Sequence, residues 1–132
     1  MYATLALLHF DGSPQAEYAL AGHLPILHYC HCGADTVWLS MEEFPLGLIP
    51  GGRYASQRVI CSPGDLFLLL TDGITEVVNE RGEELGLARL EGLLSQYATQ
   101  PLSQIWGLVM QEVKQHGAQQ DDQSLLLLRV RQ

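Results

Sequence analysis

The chain has 132 residues, of which 47% are hydrophobic and 17% are charged. This length and balance favour a folded domain and exclude a disordered chain, which combines low hydrophobicity with high charge. Its formal net charge of -8 repels nucleic-acid backbones and anionic membrane surfaces. We therefore predict one domain over residues 1–132 that binds neither nucleic acid nor membrane.

The first half of the chain is strand-like. Residues 2–10 and 17–21 flank turn-forming residues at 11–14, which predicts a hairpin. Residues 24–32 and 36–39 form a second predicted strand pair, and the proline- and glycine-rich stretch 44–52 is a predicted loop. A tight turn at 62–65 joins residues 54–61 to 66–70, which predicts a further hairpin. Its second strand, 66–70, is apolar throughout and is predicted to be buried on both faces.

The second half of the chain changes to helical periodicity. Apolar residues recur at helical spacing in two sets, Leu87, Leu90 and Leu94, then Leu102, Ile105, Val109 and Val113. Pro101 suits the start of the later helix and Gly117 its end, so we predict limits near residues 100 and 116. The apolar run 124–130 predicts a final strand in the centre of a sheet. Strands followed by helices predict an α+β fold with a sheet-based core.

The apolar runs and the N-terminal segment bear on the location of the protein and on the redox state of its cysteines. The longest apolar runs fall far short of the about 20 residues that span a bilayer. The N-terminal segment has neither the basic flank nor the small-residue cleavage site of a secretory signal, so we predict a cytoplasmic protein with reduced cysteines. His28, Cys30 and Cys32 share the parity of one predicted strand. A zinc site there is an alternative to ordinary strand residues, which is the interpretation we favour.

Three aspartates mark the ends of the two most apolar predicted strands. Asp72 follows residues 66–71, and Asp121 with Asp122 precedes residues 124–128. If these strands are antiparallel neighbours, the end of one meets the start of the other and the carboxylates gather. Oxygen ligands of this kind favour magnesium or manganese, and Gly73 leaves room for backbone or water beside an ion. The alternative is a turn at Asp72 and a strand or helix cap at Asp121.

Five short motifs resemble one protein family in their order and spacing. They are Ala21-Gly22-His23-Leu24-Pro25, Pro45-Leu46-Gly47-Leu48, Pro63-Gly64-Asp65, Thr71-Asp72-Gly73-Ile74-Thr75-Glu76 with Asn79, and Asp121-Asp122-Gln123-Ser124. Together they resemble SpoIIE/RsbU-type phosphatases of the PPM family, which are metal-dependent serine/threonine protein phosphatases. The resemblance implies an antiparallel β-sandwich flanked by helices, with a binuclear manganese or magnesium centre at one end.

The resemblance also implies roles for individual residues. Asp72 and Asp121 match metal ligands of the family. Asp122, the second member of its pair, would support them by orienting a ligand or water, and Gly73 would support them by the room it leaves. The only catalytic group implied is a metal-bound water that attacks phosphoserine or phosphothreonine directly, without a phosphoenzyme. His23 invites an acid or metal role, but we favour a hydrogen-bonded histidine that holds the adjacent loop.

One part of the family pattern has no counterpart in the chain. Members normally begin with a strand ending in Gly-Asp, whose aspartate bridges both metals, followed by Gly-His-Gly entering a helix. This chain opens on Met1 to Leu5, which resembles a later strand. We therefore expect a truncated domain that lacks the N-terminal strands and helices and holds at most one ion. The sequence leaves open whether the truncation is natural or reflects a cloned fragment.

Two functions follow from this expectation. The first is a protein phosphatase that acts on a phosphoprotein regulator of bacterial-type signalling, with weak or no activity in this chain alone. The alternative is a catalytically silent interaction or oligomerisation module. Because missing sandwich elements would bare sheet edges and apolar faces, we also predict a homo-oligomer.

Overall fold

A computed structural model describes residues 1–131 of the chain. The elements, in chain order, are β1 Leu5–Phe10, β2 Gln15–Ala21, β3 Ile26–Cys30, β4 Asp35–Leu39, β5 Gln57–Ile60, β6 Leu66–Leu70, α1 Asp72–Thr75, α2 Leu87–Tyr97, α3 Leu102–His116 and β7 Leu125–Arg129. None of the helices within residues 1–131 combines the length and the hydropathy that a bilayer crossing requires.

The strands form two antiparallel sheets. One has the order β1-β2-β5 and the other β4-β3-β6-β7. Side chains of β2 pack against β3, β4 and β6 in one core between the sheets. A second core lies between the four-stranded sheet and the helices α2 and α3. The predicted α+β sandwich with flanking helices is therefore confirmed.

Strand β6 lies between the two cores and contributes side chains to both. Its alternate residues Leu66 and Leu68 face the helices, while Phe67 faces the three-stranded sheet. All three are at most 1% exposed. Since successive side chains of a strand point to opposite faces, a strand covered on both sides must be apolar throughout. This confirms the prediction that residues 66–70 are buried on both faces.

The two helices follow the predicted apolar spacing. In α2, Leu90 and Leu94 are fully buried. In α3, Ile105, Val109 and Val113 are each 1% exposed. Helix α3 begins at Leu102, directly after Pro101, and ends at His116, directly before Gly117. The predicted limits near 100 and 116 are confirmed to within two residues.

Two predictions about strand pairing are wrong. Strand β5 does not form a hairpin with β6, because it pairs with β2 and belongs to the other sheet. The turn at 62–65 carries the chain between sheets, and turn-forming residues do not specify which strand follows as a neighbour. Strand β7, predicted to be central, is an edge strand that pairs with β6 alone among the described residues. Its apolar residues contact the cores from the sheet margin and stay partly exposed.

Candidate metal centre

The antiparallel pairing of β6 and β7 joins the two predicted aspartate sites at one end of the sandwich. Leu70 lies opposite Leu125 in the register of these strands. Beyond that pair, Thr71 N–H donates to the Ser124 carbonyl oxygen at 3.1 Å, and Ser124 N–H donates to Thr71 Oγ1 at 3.0 Å. These two bonds hold the residues that follow β6 beside the residues that precede β7. The condition on which the aspartate hypothesis rests, that the two strands are antiparallel neighbours, is therefore met.

Gly73 is the closest contact between the two segments. A β-carbon added at Gly73 would lie 2.0 Å from the Asp122 carbonyl oxygen and 3.3 Å from that of Asp121. No real β-carbon approaches backbone so closely, so only glycine permits this arrangement. Gln123 Nε2 also donates a hydrogen bond to the Gly73 carbonyl oxygen at 3.1 Å. The backbone of Asp121 and Asp122 thus occupies the space that a side chain at position 73 would need.

The three aspartates are all exposed at this end of the molecule. Asp72 is the first residue of α1. Asp121 Oδ1 accepts a hydrogen bond from the Asp122 N–H at 2.8 Å, which orders the start of that segment. Within residues 1–131, the side-chain carboxylate of Asp72 accepts no hydrogen bond from the protein. A hydrated carboxylate of this kind can exchange water for a cation at small cost.

The donor set and the Gly73 contact together fit a hard divalent cation. Carboxylate and carbonyl oxygens are the ligands that magnesium and manganese prefer, and here they come from two segments held edge to edge. The aspartates are nevertheless spread out. Across residues 1–131, a different set, His28, Cys30 and Asp65, has its ligand atoms all within 4.8 Å of one another. Asp72, Asp121 and Asp122 do not form such a set.

Comparison with protein families gives a match over nearly the whole chain. The family model for stage II sporulation protein E (SpoIIE) matches residues 1–131. The chain belongs to the SpoIIE family. The resemblance inferred from the five motifs is thereby confirmed, and with it the relation to PPM-type serine/threonine phosphatases. Comparison with curated proteins gives no match.

Several solved structures share the fold of this chain. The RsbU and RsbW domains of Rv1364c from Mycobacterium tuberculosis superpose with a TM-score of 0.82 at 24% identity, over 97% of this chain and 36% of that one. The PP2C phosphatase domain of Bacillus subtilis SpoIIE, with a fragment of its regulatory domain, gives 0.81 at 22%, over 96% and 37%. The SiaA-PP2C domain of Pseudomonas aeruginosa gives 0.76 at 25%, over 89% and 47%. The chain thus spans less than half the length of these three.

His23 of this SpoIIE-family chain lies near the same end of the sandwich. The preceding residue, Gly22, has a φ of +61° and packs so tightly on Pro45 that a β-carbon would lie 2.4 Å from Pro45 Cγ. His23 Nδ1 lies 2.9 Å from the Leu24 carbonyl oxygen, to which a protonated Nδ1 donates. The half-buried ring lines a groove of about 340 Å³ together with Thr71 and Ser124. These contacts support the interpretation of His23 as a histidine that holds its loop.

The tight His28, Cys30 and Asp65 set lies elsewhere in the fold. His28 and Cys30 share one face of β3, as predicted, but the strand ends at Cys30. The prediction for Cys32 is wrong, because Cys32 lies in the following turn and is exposed. The turn begins there because residues 31–34 connect β3 to β4, and Ala34 adopts a positive φ of 51°. Strand parity therefore stops applying after Cys30.

Sequence reasoning missed Asp65, which is the centre of this set. Asp65 is 3% exposed, and its carboxylate accepts three hydrogen bonds. His28 Nε2 donates to Oδ2 at 2.9 Å, the Ser62 N–H donates to Oδ2 at 3.0 Å, and the His31 N–H donates to Oδ1 at 2.9 Å. Burial and the nearby Asp65 charge raise the pKa of the Cys30 thiol. An aspartate directly before an apolar strand was the available signal, but Asp65 was interpreted as part of a turn and of a family motif, with no side-chain role.

Proposed function

We propose that this chain is a metal-dependent protein phosphatase domain of the SpoIIE type, acting on phosphoserine or phosphothreonine of a bacterial-type signalling regulator. Family membership supports the reaction class. The observation that carries the proposal is the Gly73 contact, in which the acidic segment 121–122 packs against the residue that follows Asp72. In the proposal, residues 1–132 act as one domain, and Asp72 and Asp121 are the cation ligands.

Each residue of the proposed site has a separate role. Asp72 and Asp121 would hold Mn²⁺ or Mg²⁺ through carboxylate oxygens, and Asp122 would orient a ligand or a water beside them. When bound, such an ion lowers the pKa of a coordinated water and offsets the charge of a phosphoryl group. Gly73 lets the backbone of the segment 121–122 pack against the start of α1, which brings the two acidic segments side by side.

A groove beside the acidic site offers room for a protein substrate. The segments 72–78 and 117–122 lie side by side, since a β-carbon at Gly117 would lie 1.9 Å from the Val78 carbonyl oxygen. At that end, a groove of about 630 Å³ is lined partly by Arg81 and His116, with Glu80 also in the lining. The Arg81 guanidinium in this lining suits an anionic phosphoprotein. We place the substrate chain in this groove.

Charge balance limits what this chain holds by itself. Three aspartate carboxylates carry a total charge of −3, whereas two divalent ions carry +4, and no further acidic residue of the described chain forms a tight set with them. Two ions would leave net positive charge without a bridging carboxylate. We therefore propose one weakly held ion and low activity for the isolated chain.

The direct test compares the chain with an Asp72→Asn variant. Calorimetric titration with Mn²⁺ should show weak binding that falls at least tenfold in the variant, because the amide removes one anionic ligand. Hydrolysis of a phosphothreonine peptide, if measurable, should require Mn²⁺ and fall in parallel. Asp11→Asn is the matched control, since Asp11 is an exposed turn aspartate. Equal Mn²⁺ affinity in the wild type and Asp72→Asn would contradict the proposal.

A second candidate function is a silent interaction or oligomerisation module. It is favoured by apolar side chains exposed along the edge strands, such as Leu7 at 53% on β1 and Leu126 at 54% on β7. These strands present unpaired backbone groups and apolar surface together, which favours pairing with another chain. Stable association without Mn²⁺-dependent hydrolysis would support this function over the first.

A further inference from the structure

The set His28, Cys30 and Asp65 lies at the opposite end of β6 from the acidic site. Asp65 directly precedes β6 and Asp72 begins the helix after it. Seven residue steps of nearly extended chain separate their α-carbons by roughly 20 Å, at about 3.3 Å per residue. The set is therefore separate from the proposed phosphatase site, and its role does not rest on the phosphatase function.

The buried carboxylate orients the histidine. Because Asp65 Oδ2 accepts from His28 Nε2–H at 2.9 Å, a neutral His28 carries its free lone pair on Nδ1. The ring is also stacked on Phe67, with centroids 4.4 Å apart and planes 3° from parallel. A carboxylate that fixes the tautomer and the ring plane is the usual support for a histidine that binds metal.

The thiol lies at the spacing that a tetrahedral zinc ion needs. Cys30 Sγ is 3.7 Å from His28 Nδ1. With zinc–sulfur and zinc–nitrogen bonds of about 2.3 and about 2.0 Å at a tetrahedral angle, the two ligand atoms are about 3.5 Å apart. Sγ is also 3.9 Å from Nε2, so it lies beside the ring and must rotate about the Cys30 side chain to meet the Nδ1 lone pair.

The charges of the set balance once an ion is bound. A divalent cation, the Asp65 carboxylate, a Cys30 thiolate and a neutral His28 sum to zero, and a neutral group is the form that a buried site tolerates. His28 and Asp65 are at most 3% exposed, while Cys30 is partly exposed and gives an ion a route from solvent.

We propose that Cys30 and His28 bind a soft divalent cation of the zinc class, with Asp65 as the positioning residue of His28. On binding, the Cys30 S–H bond breaks, its proton passes to solvent, and the thiolate sulfur forms a bond to the cation, while Nδ1 donates its lone pair. Solvent completes the coordination on the exposed side. Without an ion, the Asp65 carboxylate holds the imidazole by its hydrogen bond to Nε2, and the thiol lies 3.7 Å from Nδ1.

Cobalt(II) titration of the reduced chain tests this proposal. We expect thiolate-to-cobalt charge-transfer absorption that zinc abolishes by displacement. Cys30→Ser should remove the absorption and weaken zinc binding, measured by competition with a chelating dye, at least tenfold. Cys61→Ser is the matched control, because Cys61 is another free cysteine that is 5% exposed and lies outside the set. It should bind as the wild type does.

Two further variants separate this site from adventitious binding. Cys32→Ser removes the exposed neighbouring thiol and should leave cobalt absorption in place. Asp65→Asn should weaken zinc binding 10–100-fold, the usual effect of losing the support of a metal-binding histidine, with circular dichroism confirming that the variant folds. Absence of charge-transfer absorption at millimolar cobalt would overturn the proposal. So would absorption that survives Cys30→Ser or that disappears with Cys32→Ser alone.

Discussion

Gly73 shows how a single residue can decide the shape of a site. The hydrogen atom that it carries in place of a side chain lets the Asp122 carbonyl oxygen approach to within 2.0 Å of where a β-carbon would lie. Any larger residue has to move the segment 121–122 away from α1. The same movement would separate the Asp72 and Asp121 carboxylates that we propose as ligands.

We expect Gly73→Ala to lower the free energy of unfolding by about 1–3 kcal/mol, the usual cost of overpacking a tight contact. Gly107→Ala is the control, because a β-carbon at this exposed position of α3 meets nothing within 4 Å. Alanine should there raise stability by roughly 0.5–1 kcal/mol through better helix propensity. Urea denaturation measures both. Equal stability of Gly73→Ala and wild type would show that the contact is loose.

The buried thiol of Cys61 makes stability depend on pH in the alkaline range. Burial raises the pKa of Cys61 above its ordinary value of 9.0, with the charges of Asp65 and Asp11 adding to the effect. Above that ordinary value, the thiol ionises in the unfolded chain before it does in the fold. The folded state then binds more protons, so stability falls as pH rises.

Cys61→Ser should therefore lose less stability than the wild type between pH 8 and the alkaline limit of folding, because serine does not ionise there. The measurement is the melting temperature of both proteins along a pH series in a reducing buffer. Parallel curves for the two proteins would refute a raised pKa at this position.

Residues that look alike in the sequence differ in burial according to the position of their strand in the sheet. Leu68 of β6 and Leu126 of β7 both belong to apolar runs, yet Leu68 is 1% exposed and Leu126 is 54% exposed. The difference arises because β6 lies between two strands of its sheet and packs against a core on each face. Strand β7, in contrast, is at the sheet edge.

Truncation of these two leucines should have unequal effects. Leu68→Ala should cost about 2–5 kcal/mol, because it removes buried methyl groups and leaves a cavity. Leu126→Ala should change stability by at most about 0.5 kcal/mol, as expected for an exposed position. Chemical denaturation of both variants checks this. Similar losses in the two would mean that β7 is covered on its outer face in solution.

Helices were easier to predict than strand partners for a physical reason. The apolar spacing of α2 and α3 is a local property, readable within each segment. The partner of β5 depends on β2, whose residue Tyr18 lies opposite Gln57, 39 positions away. No local pattern in residues 54–61 distinguishes that partner from β6. The pairing of β6 with β7, which the aspartate hypothesis took as its condition, likewise depends on residues more than 50 positions apart.

At the scale of the whole molecule, exposed apolar residues on the sheet edges favour self-association. Light scattering should show a dimer or larger assembly, because unpaired edge strands with apolar side chains pair readily. Leu7→Lys on β1 should shift the mass toward the monomer. A lysine at Gln111, an exposed polar position of α3, is the control and should leave the mass unchanged. A monodisperse wild-type monomer would contradict the expected homo-oligomer.

Side-chain periodicity and ordered motifs, which neighbouring residues carry, were enough to predict the secondary elements, the class of fold and the family. Folding of the whole chain set the remaining features: the sheet that β5 joins, the edge position of β7 and the packing of the Asp122 backbone on Gly73. It also brought Asp65 to His28 across 37 positions. Such contacts depend on how the sheets stack, and stacking is decided by the burial of the whole chain at once.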